Sequence, residues 1–298
     1  MKLPARWRVG ACSHAGSVRT ANEDDYLLAT AGADGPLFVG IADGMGGHAG
    51  GAEASRTALR AIAGEALDAG RNDAPAVRLQ RGFVVAGRKV ADAGAAVPAL
   101  RGMGTTATTL LLAGNRAVVG HVGDTRLYRL RADRCERLTE DHAARAPENL
   151  LTRCIGAGRA EVAADHAEVE VQPGDRFVLV SDGVWSVVDD AALARLAARR
   201  EPREAAEALV RQALALGGPD NATAVVVEAG ADDGVGGMAE VDLPRDERPE
   251  DRSLWPRAAA LPSVAAPWAM LAVGASLLAV AALRALGLDA ALLAMFRG

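Results

Sequence analysis

Acidic residues at the ends of short apolar runs are the feature of this chain that could do chemistry. Asp43 directly follows FVGIA and Asp182 directly follows FVLVS, and a glycine comes after each. Asp124 follows VVGHVG, and Asp220 lies just before an apolar run in GGPDNATAVVV. A carboxylate at the end of a buried strand is held rigidly, and a following glycine lets the backbone turn sharply or approach a ligand closely. Taken singly, each is an ordinary turn; together, the four indicate one shared site.

A divalent cation is the simplest explanation for such a group of carboxylates. Clustered carboxylates repel one another and raise each other's pKa unless a cation neutralises them. Oxygen donors without cysteine or paired histidine ligands favour Mg²⁺ or Mn²⁺. The three cysteines, Cys12, Cys135 and Cys154, are too few and too scattered for a disulfide framework or a cysteine zinc site, and they fit a reducing cytosol. We therefore expect a Mg²⁺ or Mn²⁺ site.

The segment SVRTANEDD at 17–25 adds an arginine to this group of acids. By itself, it is best interpreted as a solvated charged loop. Beside a metal cluster, the planar guanidinium of Arg19 suits phosphate oxygens, and Glu23 or Asp24 can add metal ligands. The combination indicates phosphoryl chemistry.

The elements that must position these residues alternate irregularly along the chain. Short apolar or β-branched runs predict strands over 25–30, 37–42, 105–113, 117–122, 125–130, 177–181 and 222–228. Alanine-rich stretches with helical spacing predict helices over 52–69, 75–95, 191–198 and 202–216. Consecutive strands between 105 and 138 argue against a doubly wound parallel sheet. We expect an α+β fold with substantial antiparallel sheet.

Composition bounds the function and the domain organisation. Half of the 298 residues are hydrophobic, so residues 1–230 can bury the core of one large domain. A formal net charge of -5 argues against nucleic-acid binding, which usually needs a basic surface. The first residues, MKLPARWRVG, lack the apolar core of a secretory signal, so we expect this domain to stay in the cytoplasm.

A change of composition after the domain predicts a linker and a membrane segment. Residues 231–257 are rich in Gly, Asp, Glu, Arg and Pro, as linkers are. Within 258–298, the run 258–283 is uncharged and long enough to cross a bilayer once. The alternative, a buried alanine-rich helix packed on the domain, is less favoured. The distribution of arginines favours the cytoplasmic side of a bacterial membrane for the domain. Four arginines precede the run, at 245, 248, 252 and 257, and two follow it, at 284 and 297.

Eight stretches carry a family resemblance, and they occur in the family's order within residues 9–228. They are SVRTANEDDYLL (17–28), VGIADGMGGHAGG (39–51), GTTATTLLL (104–112), VGHVGDTRLYRL (119–130), LTEDH (138–142), LLTRCIGAG (150–158), GDRFVLVSDGVWSVV (174–188) and GGPDNATAVVVE (217–228). The sequence resembles the metal-dependent protein phosphatases of type 2C, in their bacterial branch. The resemblance implies a four-layer α-β-β-α sandwich with two central antiparallel sheets and a binuclear metal site in a cleft at one end.

The resemblance also implies a role for each matched residue. It makes Asp43 the bridge between two metals, the Gly44 carbonyl a ligand of one of them, and Asp182 and Asp220 ligands of the other. Glu23 and Asp24 match the acids that hold the second metal, directly or through water. Asp124 matches a ligand of a third, weaker metal, and Arg19 matches the phosphate-binding arginine. The implied reaction is hydrolysis of phosphoserine or phosphothreonine in proteins by a water held between the metals, opposing a bacterial Ser/Thr kinase. Cysteine chemistry is disfavoured because no cysteine lies in a Gly/Arg-rich loop.

Two departures from the family pattern affect the proton donor and the substrate. Some members carry a His directly after the Asp-Gly pair, as the proposed proton donor to the leaving group, whereas this chain has Met45 there. The next histidine is His48. It is either that proton donor or, as we favour, a polar loop residue. His121, flanked by valines, is expected to be a core histidine. The segment 142–150, HAARAPENL, is shorter than the flap of bacterial relatives.

Two other functions remain open. The domain could be a catalytically weak or inactive phosphatase-fold module that binds phosphoproteins at a membrane, although such modules normally lose metal acids and all the matched acids are present. It could also be an active phosphatase whose target is a phosphorylated anti-sigma-factor antagonist. Nothing in the residues separates this target from other phosphoproteins.

Overall fold

A computed structural model of the chain describes residues 7–230, except 33–34, 48, 69, 71, 145–149 and 199, together with the backbone of 241–242. The strands are β1 (Trp7–His14), β2 (Asp25–Thr30), β3 (Leu37–Ala42), β4 (Gly44–Met45), β5 (Gly104–Thr105), β6 (Ala107–Ala113), β7 (Arg116–Val122), β8 (Arg126–Arg131), β9 (Arg134–Arg137), β10 (Ile155–Gly156), β11 (Asp165–Glu170), β12 (Arg176–Val180), β13 (Ala222–Ala229) and β14 (Val241–Asp242). The helices are α1 (Ala49–Ala66), α2 (Pro75–Ala96), α3 (Asp182–Trp185), α4 (Asp190–Ala198) and α5 (Pro202–Ala215), with a short 3-10 helix at Pro98–Leu100.

Two large sheets form the centre of the domain. The first sheet has the strand order β14-β1-β13-β12-β8-β9, and the second has the order β11-β7-β6-β3-β2. Every pairing in them is antiparallel except that of β14 with β1. A small third sheet, in the order β10-β5-β4, was not expected from the sequence.

Three apolar cores join four layers. The inner faces of the two large sheets pack on each other through side chains such as Val39, Leu110, Phe177 and Val225. A second core lies between the other face of the second sheet and helices α1 and α2, and a third between the other face of the first sheet and helices α3, α4 and α5. The order of layers is therefore helix, sheet, sheet, helix, which confirms the expected α-β-β-α sandwich.

The helices follow from proline at their starts and from regular apolar spacing. Pro75 and Pro202 stand in the first turn of α2 and α5, where a missing N–H costs nothing. Along α2, Leu79, Phe83 and Val90 repeat on one face and are buried against the second sheet. Burying each of these large side chains contributes about 1.5–3 kcal/mol. The four helices expected from the sequence are confirmed to within about three residues at their ends.

The C-terminal predictions lie almost wholly outside the described residues. Val241–Asp242, in the stretch predicted as a linker, pairs in parallel with Val9–Gly10 of β1. The run 258–283, predicted to span a membrane, is not described. Among the residues that are described, no helix is both long enough and apolar enough to cross a bilayer.

Candidate metal centre

Seven of the eight predicted site residues line one cleft. The cleft has a volume of about 470 Å³ and is lined by Arg19, Glu23, Asp43, Gly44, Met45, Gly46, Gly47, Thr106, Asp124, Leu151, Asp182, Asp220 and Asn221. A smaller hollow of about 250 Å³, around Arg116 and Glu168, has no cluster of carboxylates. The cleft is therefore the candidate site, and Asp24 is the one predicted residue that does not line it.

Asp43 is fixed by its backbone at the end of β3. Its N–H donates to Thr106 Oγ1 at 3.0 Å, and its carbonyl accepts from the Thr106 N–H and the Thr105 hydroxyl, both at 2.9 Å. Thr106 can serve both backbone groups because the predicted strand 105–113 is interrupted there, between β5 and β6. Burial, with the charges of Asp24 and Asp182, raises the pKa of Asp43 well above its usual value. The backbone of Asp43 is thus fixed at the end of β3, and its carboxyl group lies where negative charge is unfavourable unless a cation offsets it.

Gly44 has no room for a side chain. A Cβ there would lie 2.2 Å from the carbonyl oxygen of Gly51 in α1 and 2.7 Å from that of Glu23. Such distances are far below van der Waals contact, so only glycine allows these three segments to meet. This close approach brings Glu23 beside Asp43.

Asn221 ties the β1–β2 loop, residues 15–24, to the start of β13. Its amide nitrogen donates to the carbonyls of Ala15 and Ala21, both at 2.9 Å, and its Oδ1 accepts from the Glu23 N–H at 2.8 Å. Arg19 of the same loop donates to Asp220 Oδ2 at 2.8 Å. The loop that carries Arg19 and Glu23 is therefore anchored beside Asp220. Our sequence analysis missed Asn221, although its position directly after Asp220 was a signal.

Asp24 is buried behind the cleft. Its Oδ2 accepts hydrogen bonds from Ser181 Oγ and Thr223 Oγ1, both at 2.7 Å. Burial, opposed by these two hydrogen bonds, raises its pKa to about 7. Asp24 was expected to hold a metal either directly or through water, and this placement favours the indirect role. The side chain braces β12 and β13 beneath the acids that face the cleft. Sequence analysis gave no role to Ser181 and Thr223.

Asp124 and Asp182 complete the acidic wall. Burial, with the charge of Asp182, raises the pKa of Asp124 to about 7. Burial, with the charge of Asp220, raises the pKa of Asp182. The Asp124 carbonyl accepts a hydrogen bond from the indole of Trp185, which sequence analysis did not single out. Both acids therefore lie where added positive charge would stabilise their ionised form.

The donor set of the cleft fits divalent cations. Within the described residues, Asp24 Oδ1 and Asp182 Oδ1 are buried and have no hydrogen-bond partner. Arg19 is the one cationic side chain among the described residues that line the cleft. No group of three His, Cys, Asp or Glu side chains in the described part of the chain is arranged as a ready metal cage. The acids surround the cleft at several points, and hard cations would supply the missing charge.

The other candidates from the sequence fall in different places. Met45 lines the cleft, so the position after Gly44 offers no proton. His48 lies outside the described residues, as do 145–149 of the segment 142–150. His121 is confirmed as a buried histidine: its Nδ1 bonds Thr108 Oγ1 at 2.8 Å, and its Nε2 bonds the Glu140 carbonyl at 2.9 Å. None of the three cysteines lines the cleft.

The fold and the cleft define an α-β-β-α sandwich protein with a candidate divalent-metal centre. Residues 13–216 match the family described as protein phosphatase 2C. The chain belongs to the protein phosphatase 2C family.

Individual relatives agree with this assignment. The serine/threonine protein phosphatase PstP of Mycobacterium tuberculosis is 34% identical in an alignment of 242 residues, and the match covers 74% of this chain and 45% of PstP. The chain thus spans less than half the length of that relative. A crystal structure of the PstP catalytic domain with two manganese ions has a TM-score of 0.67 at 33% identity and covers 76% of this chain and 99% of the domain. PppA, a regulatory component of the type VI secretion system in Pseudomonas aeruginosa, has a TM-score of 0.68 at 32% identity, with the same coverage.

Proposed function

We propose that this chain is a metal-dependent phosphatase that hydrolyses phosphoserine and phosphothreonine in proteins. The observation that carries the proposal is the meeting of five acids, Gly44 and a single arginine in one cleft. These residues come from segments far apart in the sequence, and the five carboxylates that meet there repel one another unless cations offset their charge. Family membership and relatives that are named serine/threonine phosphatases support the same activity.

The acids of the cleft would hold two divalent ions, Mn²⁺ or Mg²⁺. We assign Asp43 to the bridging position, Glu23 and the Gly44 carbonyl to one ion, and Asp182 and Asp220 to the other. Asp124 would serve a third, weaker position, and Asp24 would act from behind the cleft. The raised pKa values of Asp43, Asp124 and Asp182 are consistent with these roles, because a bound cation favours their charged forms.

Arg19 is suited to bind the substrate phosphate. Its side chain is 57% exposed and is paired with Asp220. A planar guanidinium can bind two phosphate oxygens at once, which is a stronger interaction than its present hydrogen bond to one carboxylate oxygen. With Asp220 engaged as a metal ligand, the guanidinium of Arg19 would be free to pair with the substrate phosphate instead. The pairing therefore holds Arg19 at the cleft until the substrate arrives.

Direct hydrolysis is the reaction that these residues support. When bound, divalent ions lower the pKa of a coordinated water and offset charge on the phosphoryl oxygens. In the described lining of the cleft there is no cysteine, serine or histidine nucleophile, and the Thr106 hydroxyl is already bonded to Asp43. We therefore expect no phosphoenzyme.

Substrate and location form the finer part of the proposal. We propose that the substrates are proteins phosphorylated by a bacterial Ser/Thr kinase, and that the segment 258–298 anchors the domain, residues 1–230, to the cytoplasmic face of the membrane through the linker 231–257. The alternative is a catalytically weak or inactive module that binds phosphoproteins at the membrane. The presence of every matched acid favours the enzyme.

Metal-dependent release of phosphate tests the proposal. The full chain should hydrolyse a phosphothreonine peptide only with Mn²⁺ or Mg²⁺, and Asp43→Asn should lower kcat/KM by about 10³-fold or more, since it removes the bridging charge. The matched control is Asp92→Asn, at an exposed position of α2, which should retain full activity. Hydrolysis that persists in a chelator would sink the proposal, and binding of phosphopeptide without hydrolysis would favour the inactive module.

A further inference from the structure

Trp185 connects two separate walls of the cleft. It lies in α3, three residues after Asp182, and its Nε1–H donates to the backbone carbonyl of Asp124 at 2.9 Å. The two hydrogen-bonded residues are 61 positions apart in the chain. One side chain thus links the helix that begins at Asp182 with the turn that carries Asp124.

The indole is itself held in place by a stacked ion pair. The guanidinium carbon of Arg126 lies 3.5 Å from the centre of the Trp185 ring. Arg126 also pairs with Asp141, donating from Nε at 3.0 Å to Oδ1 and from Nη2 at 2.6 Å to Oδ2. A cation over an indole face is attractive, and a two-point ion pair fixes the guanidinium plane. The direction of the indole N–H is therefore set by its neighbours.

The opposite side of the Asp124 turn is fixed by His142. The His142 N–H donates to the Gly123 carbonyl at 2.7 Å, and the Gly123 N–H donates to His142 Nδ1 at 3.1 Å. Gly123 has a φ of +107°, and a Cβ there would lie 2.4 Å from the side chain of Thr106. With Gly123 held in this way, the hydrogen bond from Trp185 is the contact that fixes the Asp124 carbonyl relative to α3.

We propose that Trp185 is a positioning residue that holds Asp124 at the right distance from Asp182, so that the weaker metal position at Asp124 depends on the indole N–H. This inference rests on the proposed function, because it assumes that divalent ions occupy the cleft. Removing the donor leaves the carbonyl of a nearly buried residue without its partner and releases the turn. Residues that orient metal ligands typically change affinity by 10- to 100-fold.

The test is Trp185→Phe in the full chain, which removes the N–H donor and keeps an aromatic face for Arg126. Mn²⁺ binding to metal-free protein is measured by calorimetry. We expect the weakest binding step to become about 10-fold weaker and the tighter steps to stay within about twofold of the parent. Subtracting the tryptophan fluorescence of Trp185→Phe from that of the parent leaves the emission of Trp185. This emission should change during the weakest binding step, in which Mn²⁺ binds beside Trp185.

Two further variants separate positioning from loss of stability. Arg131→Lys is the control: it removes a two-point ion pair with Asp175 at the other end of β8, where Arg131 contacts neither Trp185 nor Asp124, so it should leave every binding step unchanged. Arg126→Lys removes the two-point pair that braces the indole, so it should weaken the same step as Trp185→Phe, by a smaller factor, and it serves if the Phe variant does not fold.

The outcomes distinguish this inference from the proposed function. If the parent chain binds no Mn²⁺, the proposed function fails. If the parent binds Mn²⁺ in tight and weak steps and neither variant alters the weak step, or if all steps weaken equally, the role of Trp185 is refuted and the proposed function stands. Selective weakening in both variants, with Arg131→Lys unaffected, supports the positioning role.

Discussion

At the scale of single residues, the site concentrates negative charge where water does not screen it fully. The nearly buried acids Asp24 and Asp124 and the half-buried Asp43 have raised pKa values, with desolvation as the first cause in each case. A protein built for stability alone would replace such groups, since an uncompensated buried charge destabilises the fold. The metal-free domain should therefore be strained by its own site, and the strain should depend on pH.

Asp124→Asn tests this strain. The pKa of Asp124 is about 7 in the folded chain, against an ordinary value of 3.8, so the folded state binds more protons than the unfolded state between about pH 4 and 7. The destabilising effect of the charge therefore grows as pH rises through that window and is complete above it. In a chelator, Asp124→Asn should raise the free energy of unfolding by about 2 kcal/mol at pH 8, and by much less at pH 5.

Urea denaturation of both proteins at the two pH values measures the effect. The comparison with the parent removes contributions that the proteins share, including that of His121, whose pKa is lowered to about 4 by burial and which has the opposite pH dependence. Asp92→Asn is again the control and should show no pH-dependent difference. An equal effect of Asp124→Asn at pH 5 and pH 8 would contradict the assigned cause.

At the scale of elements, one amide makes three of the hydrogen bonds that shape the β1–β2 loop. Asn221 satisfies two carbonyls and one N–H of that loop, and this loop carries Arg19 and Glu23. Residues that support metal ligands at one remove matter because a ligand displaced by a fraction of an ångström binds its ion poorly. Asn221 thus helps to hold the loop in the site, together with the hydrogen bond of Ser17 to Gly218 and that of Arg19 to Asp220.

Asn221→Ala should therefore lower both stability and metal affinity. We expect the free energy of unfolding of the metal-free chain to fall by about 2 kcal/mol, because buried backbone groups lose their partners. Mn²⁺ affinity should fall by about 10- to 100-fold. Denaturation and calorimetry measure the two quantities, with Asn115→Ala, in the exposed turn between β6 and β7, as the control. A destabilised variant with unchanged Mn²⁺ affinity would show that the amide has only a structural role.

At the scale of the whole molecule, the sandwich brings together strand ends that are far apart in the chain. Packing two antiparallel sheets face to face brings the ends of β3, β7 and β12 together, although Asp43, Asp124 and Asp182 are far apart in the chain.

The tail beyond the described residues bears on where in the cell the protein is located. The run 258–283 predicts a single span.

Arginine substitution tests the span in the full chain. The parent should sediment with membranes and need detergent for extraction. Leu271→Arg combined with Leu278→Arg should move the protein to the soluble fraction, because each central arginine costs about 2.5–3.5 kcal/mol of insertion energy. Leu271→Ala with Leu278→Ala is the matched control and should stay with the membranes. A parent chain found wholly in the soluble fraction without detergent would overturn the anchor.

Strand and helix positions could be read from the sequence wherever apolar spacing was regular. β2 and β3 match their predicted bounds, and α2 and α5 differ from theirs by one residue. β9 and β11 were missed because they are edge strands with almost wholly exposed residues, so they carry no apolar pattern. β1 was missed because its glycine, cysteine and charged residues interrupt the alternation, and α3 is only one turn long.

The sequence by itself predicted that Asp43, Asp124 and Asp182 share one cleft, because each follows a buried run and emerges at the end of its strand. The residues that hold those acids came only from the tertiary structure. Thr106, Trp185 and Asn221 act through side-chain hydrogen bonds to backbone groups far away in the chain. Such contacts leave no periodic pattern in the sequence. Asp24 is a further example. Its neighbours in the sequence suggested a metal ligand in the cleft, but the structure places its carboxylate behind the cleft. There, the packing of β12 and β13 lets it accept hydrogen bonds from the hydroxyls of Ser181 and Thr223.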